Sequence, residues 1–187
     1  MPDRPPNRCH PSSDLRATRH AWRRLTRLLP LLALLWSLPA RPERLAGGGT
    51  FTGPAAVIDG DSLRVGQREV RLHGVDAWEY DQTCPDRRGR PFACGRQAQE
   101  FLDRTVAGRT VTCALMDRDS YRRFVAVCRL DDQDLGALLV RAGWATAYTH
   151  YSRRYLPLER QARQERLGGW AGGPDRLPQS PRQWRRH

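Results

Sequence analysis

The chain has 187 residues, and its 32 basic and 20 acidic residues give a net charge of +12. That length argues for one domain and against a multidomain assembly. Every Lys/Arg position is arginine; the excess suits a polyanionic partner, although charge alone does not separate such binding from plain solubility.

Arg16, Arg19, Arg23, Arg24 and Arg27 precede an apolar run from Leu28 to Leu38, broken only by Pro30 and Ser37. Small and turn residues follow at Pro39, Ala40, Ala46 and Gly47. This is the layout of a secretory signal, and the run is short for a membrane span. Residues 1–40 therefore read as a signal peptide, with an uncleaved N-terminal anchor as the alternative, and residues 41–49 as a linker. The expected location is secreted or periplasmic.

Thr50 to Ile58 reads as a strand, Asp59-Gly60-Asp61 as a turn, and Ser62–Val65 and Glu69–Val75 as two more strands joined through Gly66-Gln67. Gln97 to Val106 predicts a helix with Ala98, Phe101, Leu102 and Val106 on one face. Arg109–Met116 and Arg123–Leu130 predict a hairpin. Leu135–Ala142 predicts a second helix stopped by Gly143, and Leu156–Leu167 a third ended by Gly168-Gly169. Five short strands with a helix after the third and two at the end predict an α+β, mainly β, fold: a five-stranded OB-fold barrel with three helices over residues 50–171. Residues 172–187 are expected to form an irregular tail, with Trp184-Arg185-Arg186 pinning its end.

With Cys9 in the leader, four cysteines remain, and four allow three pairings. The expected bonds are Cys84–Cys94, closing a loop rich in Pro, Gly and Arg, and Cys113–Cys128, joining two strands that lie symmetrically about Ser120-Tyr121. A zinc site is a poor competitor, since no C-x-x-C spacing occurs and no histidine lies nearby. Disulfides support export.

The segment Val57–Glu79 gathers Asp59, Asp61, Asp76, Glu79 and Arg71. Carboxylate oxygens suit a hard divalent cation, a guanidinium fork matches a phosphate, and a further carboxylate can take a proton from an attacking water. Side chains alternate along a strand. Arg71 and Asp76, five apart, therefore converge only if the strand bends between them, and Gly74 is the place for it.

Three ordered motifs carry a resemblance: Ile58-Asp59-Gly60-Asp61-Ser62, then Arg71 to Glu79, then Asp119-Ser120-Tyr121-Arg122-Arg123. Together they resemble the staphylococcal nuclease (thermonuclease) family from about Thr50 to Trp170. The resemblance implies the OB-type barrel again. It also implies a calcium-dependent nuclease acting on DNA and RNA as a monomer, breaking the P–O5′ bond and leaving 3′-phosphates. It places calcium on Asp61, Asp76 and the backbone carbonyl of Ala77, with Asp59 a weaker ligand candidate. Glu79 becomes the general base, Arg71 and Arg123 flank the phosphate, and Tyr121, Tyr148 and Tyr151 pack on the substrate.

Each residue also has a plainer reading. Asp59-Gly60-Asp61 is a favoured turn in its own right, Glu79 can be a surface carboxylate, and Tyr148 or Tyr151 can be core or hydroxyl-capping residues. Two departures bear on the site. Trp78 stands where the family has proline, which leaves the aim of Glu79 open, and Arg122 replaces a glycine, so Arg122 and Arg123 compete for one role. His73 and His150 lack the partners of a histidine-based nuclease. The alternative class is a catalytically inactive OB-fold module that binds nucleic acid or protein. An anchored structural protein of the envelope would rest on the leader alone.

Overall fold

The computed structural model describes residues 49–186. The expected leader, with Cys9, and nearly all of the expected linker lie outside the described residues. Among the described residues no helix is long and apolar enough to cross a membrane.

The strands are β1 (Thr50–Asp59), β2 (Ser62–Val65), β3 (Arg68–Leu72), β4 (Val75–Ala77), β5 (Cys84–Pro85), β6 (Pro91–Phe92), β7 (Thr110–Arg118), β8 (Phe124–Leu130), β9 (Gln133–Asp134) and β10 (Ala145–Ala147). The helices are α1 (Cys94–Val106), α2 (Leu135–Arg141), α3 (Leu156–Gln164) and α4 (Pro181–Trp184). The main sheet runs β3-β2-β1-β7-β8, and a parallel β3–β8 pairing closes it into the expected five-stranded barrel of the OB type. Alternate residues point inward: Leu63 and Val65 from β2, Val70 and Leu72 from β3 are all essentially buried. Leu102 and Val106 of α1 and Leu135 and Leu139 of α2, each pair one turn apart, join the same core.

The three expected helices are present, with shifted ends. α1 begins three residues early, because Cys94 and Gly95 are buried and the Gly95 N–H donates to the Gln82 carbonyl at 3.2 Å. α3 stops at Gln164 and a 3₁₀ turn, Gly168–Trp170, follows it. The expected strand Glu69–Val75 is two strands. The chain leaves the barrel at Gly74, whose φ of 76° suits glycine, and continues as β4, which pairs with β10. The tail expected to be irregular carries α4, capped by Ser180 in a reciprocal box with Gln183.

Both disulfides form with the expected partners, Cα–Cα distances being 5.6 Å for Cys84–Cys94 and 4.0 Å for Cys113–Cys128. The second joins residues directly opposite on β7 and β8. Two such bonds suit an oxidising compartment. Around the first lies a second core, in which Trp78, Ala98, Ala162 and Trp170 are buried together.

Removing the inter-strand bond by a Cys113→Ala, Cys128→Ala double substitution frees a closed loop of sequence separation 15. The expected loss is about 3 kcal/mol of stability on chain-entropy grounds. Urea unfolding of the variant against the oxidised parent reads it directly.

Candidate active site

The bend at Gly74 decides the site. It turns β4 so that Arg71 and Asp76 meet: Arg71 Nη2 donates to Asp76 Oδ1 at 3.1 Å and to Asp61 Oδ2 at 3.0 Å. One guanidinium nitrogen thus bridges two buried carboxylates, which the barrel brings together from the β1–β2 turn and from β4. Asp61 also accepts the Ala77 N–H at 3.1 Å and the Ser62 hydroxyl at 3.2 Å. Asp59 has a local role, its side chain accepting the Asp61 N–H at 3.0 Å within the turn.

Burial pushes the Asp61 carboxyl up from an ordinary 3.8 to about 7; Arg71 pulls against this, the neighbouring Asp59 and Asp76 charges add to it, and the Ala77 N–H opposes it. For Arg71 burial works against the charge, and Asp61 and Asp76 more than offset it, so its pKa rises. The pair therefore demands positive charge.

Glu79 follows Trp78, and Trp78 answers the question its position raised. Its indole is 1% exposed, donates to the Gly143 carbonyl at 2.8 Å, and meets Trp170 edge-on at 5.0 Å. A buried anchor of this size holds the segment in place through side-chain packing, where proline would act through its ring on the backbone angle. Beyond it, the Glu79 N–H donates to the side chain of Gln82, itself fully buried. α1 presses close here: a Cβ on Gly95 would stand 1.5 Å from the Glu79 carbonyl oxygen, so only glycine fits.

Across the cleft, the turn before β8 is organised by Asp119. Its carboxylate accepts the Arg123 N–H at 2.9 Å and Arg123 Nε at 2.7 Å. Burial raises the Asp119 pKa, and the Arg123 hydrogen bonds outweigh it, so the carboxyl sits below its usual range. Arg122 takes a φ of 66°, the left-handed conformation that glycine adopts freely, and is exposed. Arg123, not Arg122, lines the cleft with Arg71, Asp61 and Glu79. Tyr121, Tyr148 and Tyr151 line it too; Tyr121 is 81% exposed, and the rings of Tyr148 and Tyr151 lie 5.2 Å apart. The cleft encloses about 430 Å³. His150 and His73 pack at the edges of Tyr151.

One member was not foreseen. Arg185, just past α4, donates from Nη1 to Asp76 Oδ1 at 3.0 Å and from Nη2 to Asp76 Oδ2 at 3.2 Å, and it also pairs with Glu79 Oε1. Burial lowers its pKa, and Asp76 and Glu79 more than offset this. The only sequence signal was the Trp184-Arg185-Arg186 cluster, which names no target 109 residues away in the chain.

Among the described residues no group of three or more His, Cys, Asp and Glu side chains is arranged to hold a metal ion. A cation at the carboxylate pair would therefore draw its other ligands from backbone carbonyl, water or substrate. The donor chemistry fits calcium: both carboxylates are buried, offer hard oxygens, and converge closely enough to share one cationic nitrogen.

A closed mixed barrel with a carboxylate and arginine cleft beside its β1–β2 turn defines an OB-type α+β protein of phosphodiester-handling design. Residues 69–172 match the model of the staphylococcal nuclease homologues, and the chain belongs to that family. It is 35% identical over 126 residues to the succinoglycan biosynthesis protein ExoI of Rhizobium meliloti, covering 66% of each chain. It is 34% identical over 122 residues to the probable endonuclease LCL3 of Schizophyllum commune, covering 56% of this chain and 40% of that one. It is 30% identical over 168 residues to an uncharacterized endonuclease of Escherichia coli, covering 86% and 98%. The chain thus spans two thirds or less of the first two relatives and nearly all of the third.

Arg71→Ala removes the bridging charge. Between 3.8 and about 7 the folded protein holds the Asp61 proton more firmly than the unfolded chain, so this group's contribution to stability falls as pH rises through that window. Without Arg71 the ionised pair has lost its shared partner. Arg71 holds the Asp61 pKa down, so its removal pushes that pKa above about 7 and the variant goes on losing stability where the parent has stopped. The variant's deficit against the parent should therefore widen from about pH 6 to about pH 9, reaching about 3 kcal/mol. Urea unfolding across that range measures it, and a deficit flat in pH would contradict the charge-pairing account.

Proposed function

We propose that the chain is a calcium-dependent endonuclease that hydrolyses phosphodiester bonds in DNA and RNA. The observation that carries this reading is the convergence of Asp61, Arg71, Glu79 and Arg123 on one cleft, with Asp76 bonded to Arg71 behind it, in a chain of this family. The relatives from Schizophyllum commune and Escherichia coli, both named as endonucleases, point the same way.

Asp61, Asp76 and the Ala77 carbonyl would hold calcium, which when bound neutralises charge on the phosphate. Glu79 takes a proton from water as the water oxygen bonds to phosphorus in line with the departing O5′. The P–O5′ bond breaks, the leaving oxygen takes up a proton from solvent, and a 3′-phosphate remains. Arg71 and Arg123 both line the cleft, where their guanidinium groups would stabilise charge developing on the phosphoryl oxygens. Tyr121, Tyr148 and Tyr151 offer faces on which bases stack without regard to sequence, each worth about 1–3 kcal/mol where used. Arg123 is held by Asp119 and so is preorganised, which lowers the ordering cost of binding phosphate.

Glu79→Gln keeps size and hydrogen bonding and removes the proton acceptor. The cleavage rate should fall by about 10²–10⁴, while calcium-dependent binding of a short oligonucleotide survives. Arg123→Ala should lower rate and binding together, and Arg122→Ala should do much less. A cleavage assay and a binding assay on the same variants decide the matter. A parent that binds yet never cuts, indistinguishable from Glu79→Gln, would sink the enzyme reading in favour of a binding module.

Chelation gives an independent check. Excess chelator should abolish cleavage, calcium should restore it, and magnesium should restore it poorly, because the smaller ion demands tighter octahedral geometry. Full cleavage in chelator would refute the metal assignment.

A further inference from the structure

We propose that Arg185 is a counter-cation built into the chain that competes with the divalent metal for the site, so that the C-terminal arm sets the metal affinity. The inference rests on the metal assignment made under the proposed function and adds a regulator to it.

The geometry makes the two occupants exclusive. Arg185 presents both Nη atoms to both oxygens of Asp76, at 3.0 Å and 3.2 Å, the bidentate fork of a strong charged pair. The same guanidinium reaches Glu79. Asp76 Oδ1 already accepts Arg71, so with Arg185 in place both oxygens of Asp76 are engaged by guanidinium groups and a metal must displace Arg185 to reach them. Glu79, while it accepts from Arg185, is not available to take a proton from water. Arg71 alone leaves the second oxygen of Asp76 open, since it contacts only Asp76 Oδ1.

The arm is docked, not trailing. Trp184 Nε1 donates to Asp81 at 3.0 Å, two residues past Glu79. The buried side chain of Gln82 donates to the Gln179 carbonyl at 2.8 Å. The Ser180–Gln183 capping box then starts α4, so that Arg185 leaves its last turn at the carboxylates. The Gln179 and Trp184 anchors hold to the Glu79–Gln82 turn and not to Asp76 or Glu79, so Arg185 can leave its carboxylates while the arm stays in place. The side chain is 40% exposed and needs only to rotate toward solvent.

Cation and guanidinium bind the same oxygens, so each weakens the other by the same factor. Calorimetric titration of calcium chloride into the folded protein tests this without reference to activity. Arg185→Ala and Arg185→Gln should bind calcium about three- to tenfold more tightly than the parent, the worth of a charged hydrogen bond discounted for its exposure. Arg186→Ala, altering an exposed neighbour, should match the parent. In the parent, the side-chain Nε–H resonance of Arg185 should shift as calcium is added. If the parent binds calcium and both Arg185 variants bind it equally or more weakly, this inference is overturned and the metal assignment stands. If neither parent nor variants bind calcium, the metal assignment fails and takes this inference with it.

Discussion

Two carboxylates are buried within reach of one guanidinium nitrogen, and the local architecture answers to that constraint. Asp61 and Asp76 are 5% and 2% exposed, and burying two like charges together is unfavourable unless positive charge joins them. Arg71 supplies it from β3, but only because the chain turns at Gly74. The turn takes the following residues out of the barrel, and β4 finds its partner in β10. The site is thus the place where the barrel strand ends and a second, smaller sheet begins.

The aim of the third carboxylate depends on packing rather than on charge. Glu79 sits between a buried tryptophan and a buried glutamine, and its backbone is hemmed in by the start of α1 at Gly95. Trp78 is held by Gly143 and Trp170, and the Cys84–Cys94 bond lies in the same cluster. A satellite core of this kind anchors a short loop, which Glu79 would need in the proposed role of base if its geometry is to be set before substrate arrives. The disulfides therefore serve position as well as stability: one ties β7 to β8 in the barrel, the other supports the segment that carries Glu79.

Positive charge reaches the cleft from three separate parts of the chain. Arg71 comes from the barrel, Arg123 from the β7–β8 turn, and Arg185 from the C-terminal arm. Arg123 is tied to Asp119 and kept apart from the buried pair, facing the cleft where a phosphate would lie. Arg185 does the reverse, spending its charge on Asp76 and Glu79. An arginine-rich surface thus contains arginines with distinct tasks, separated by which carboxylate each one meets.

Local pattern was enough for much of this. Alternation along the strands, the Ala98, Leu102 and Val106 stripe, the glycine stops and the cysteine spacing all act over a few residues, and they led to the barrel, three helices and both disulfides. The ordered motifs pointed to Asp61, Asp76, Glu79, Arg71 and Arg123, and the need for a bend at Gly74 followed from alternation itself. Three things were decided only by tertiary structure. β4 exists as a strand because β10 reaches it. Trp78 can replace a proline because Gly143 and Trp170 close around it. Arg185 enters the site because α4 docks on the Glu79–Gln82 turn. Each depends on contacts between segments far apart in the chain, and short-range periodicity carries no record of which distant partner will arrive.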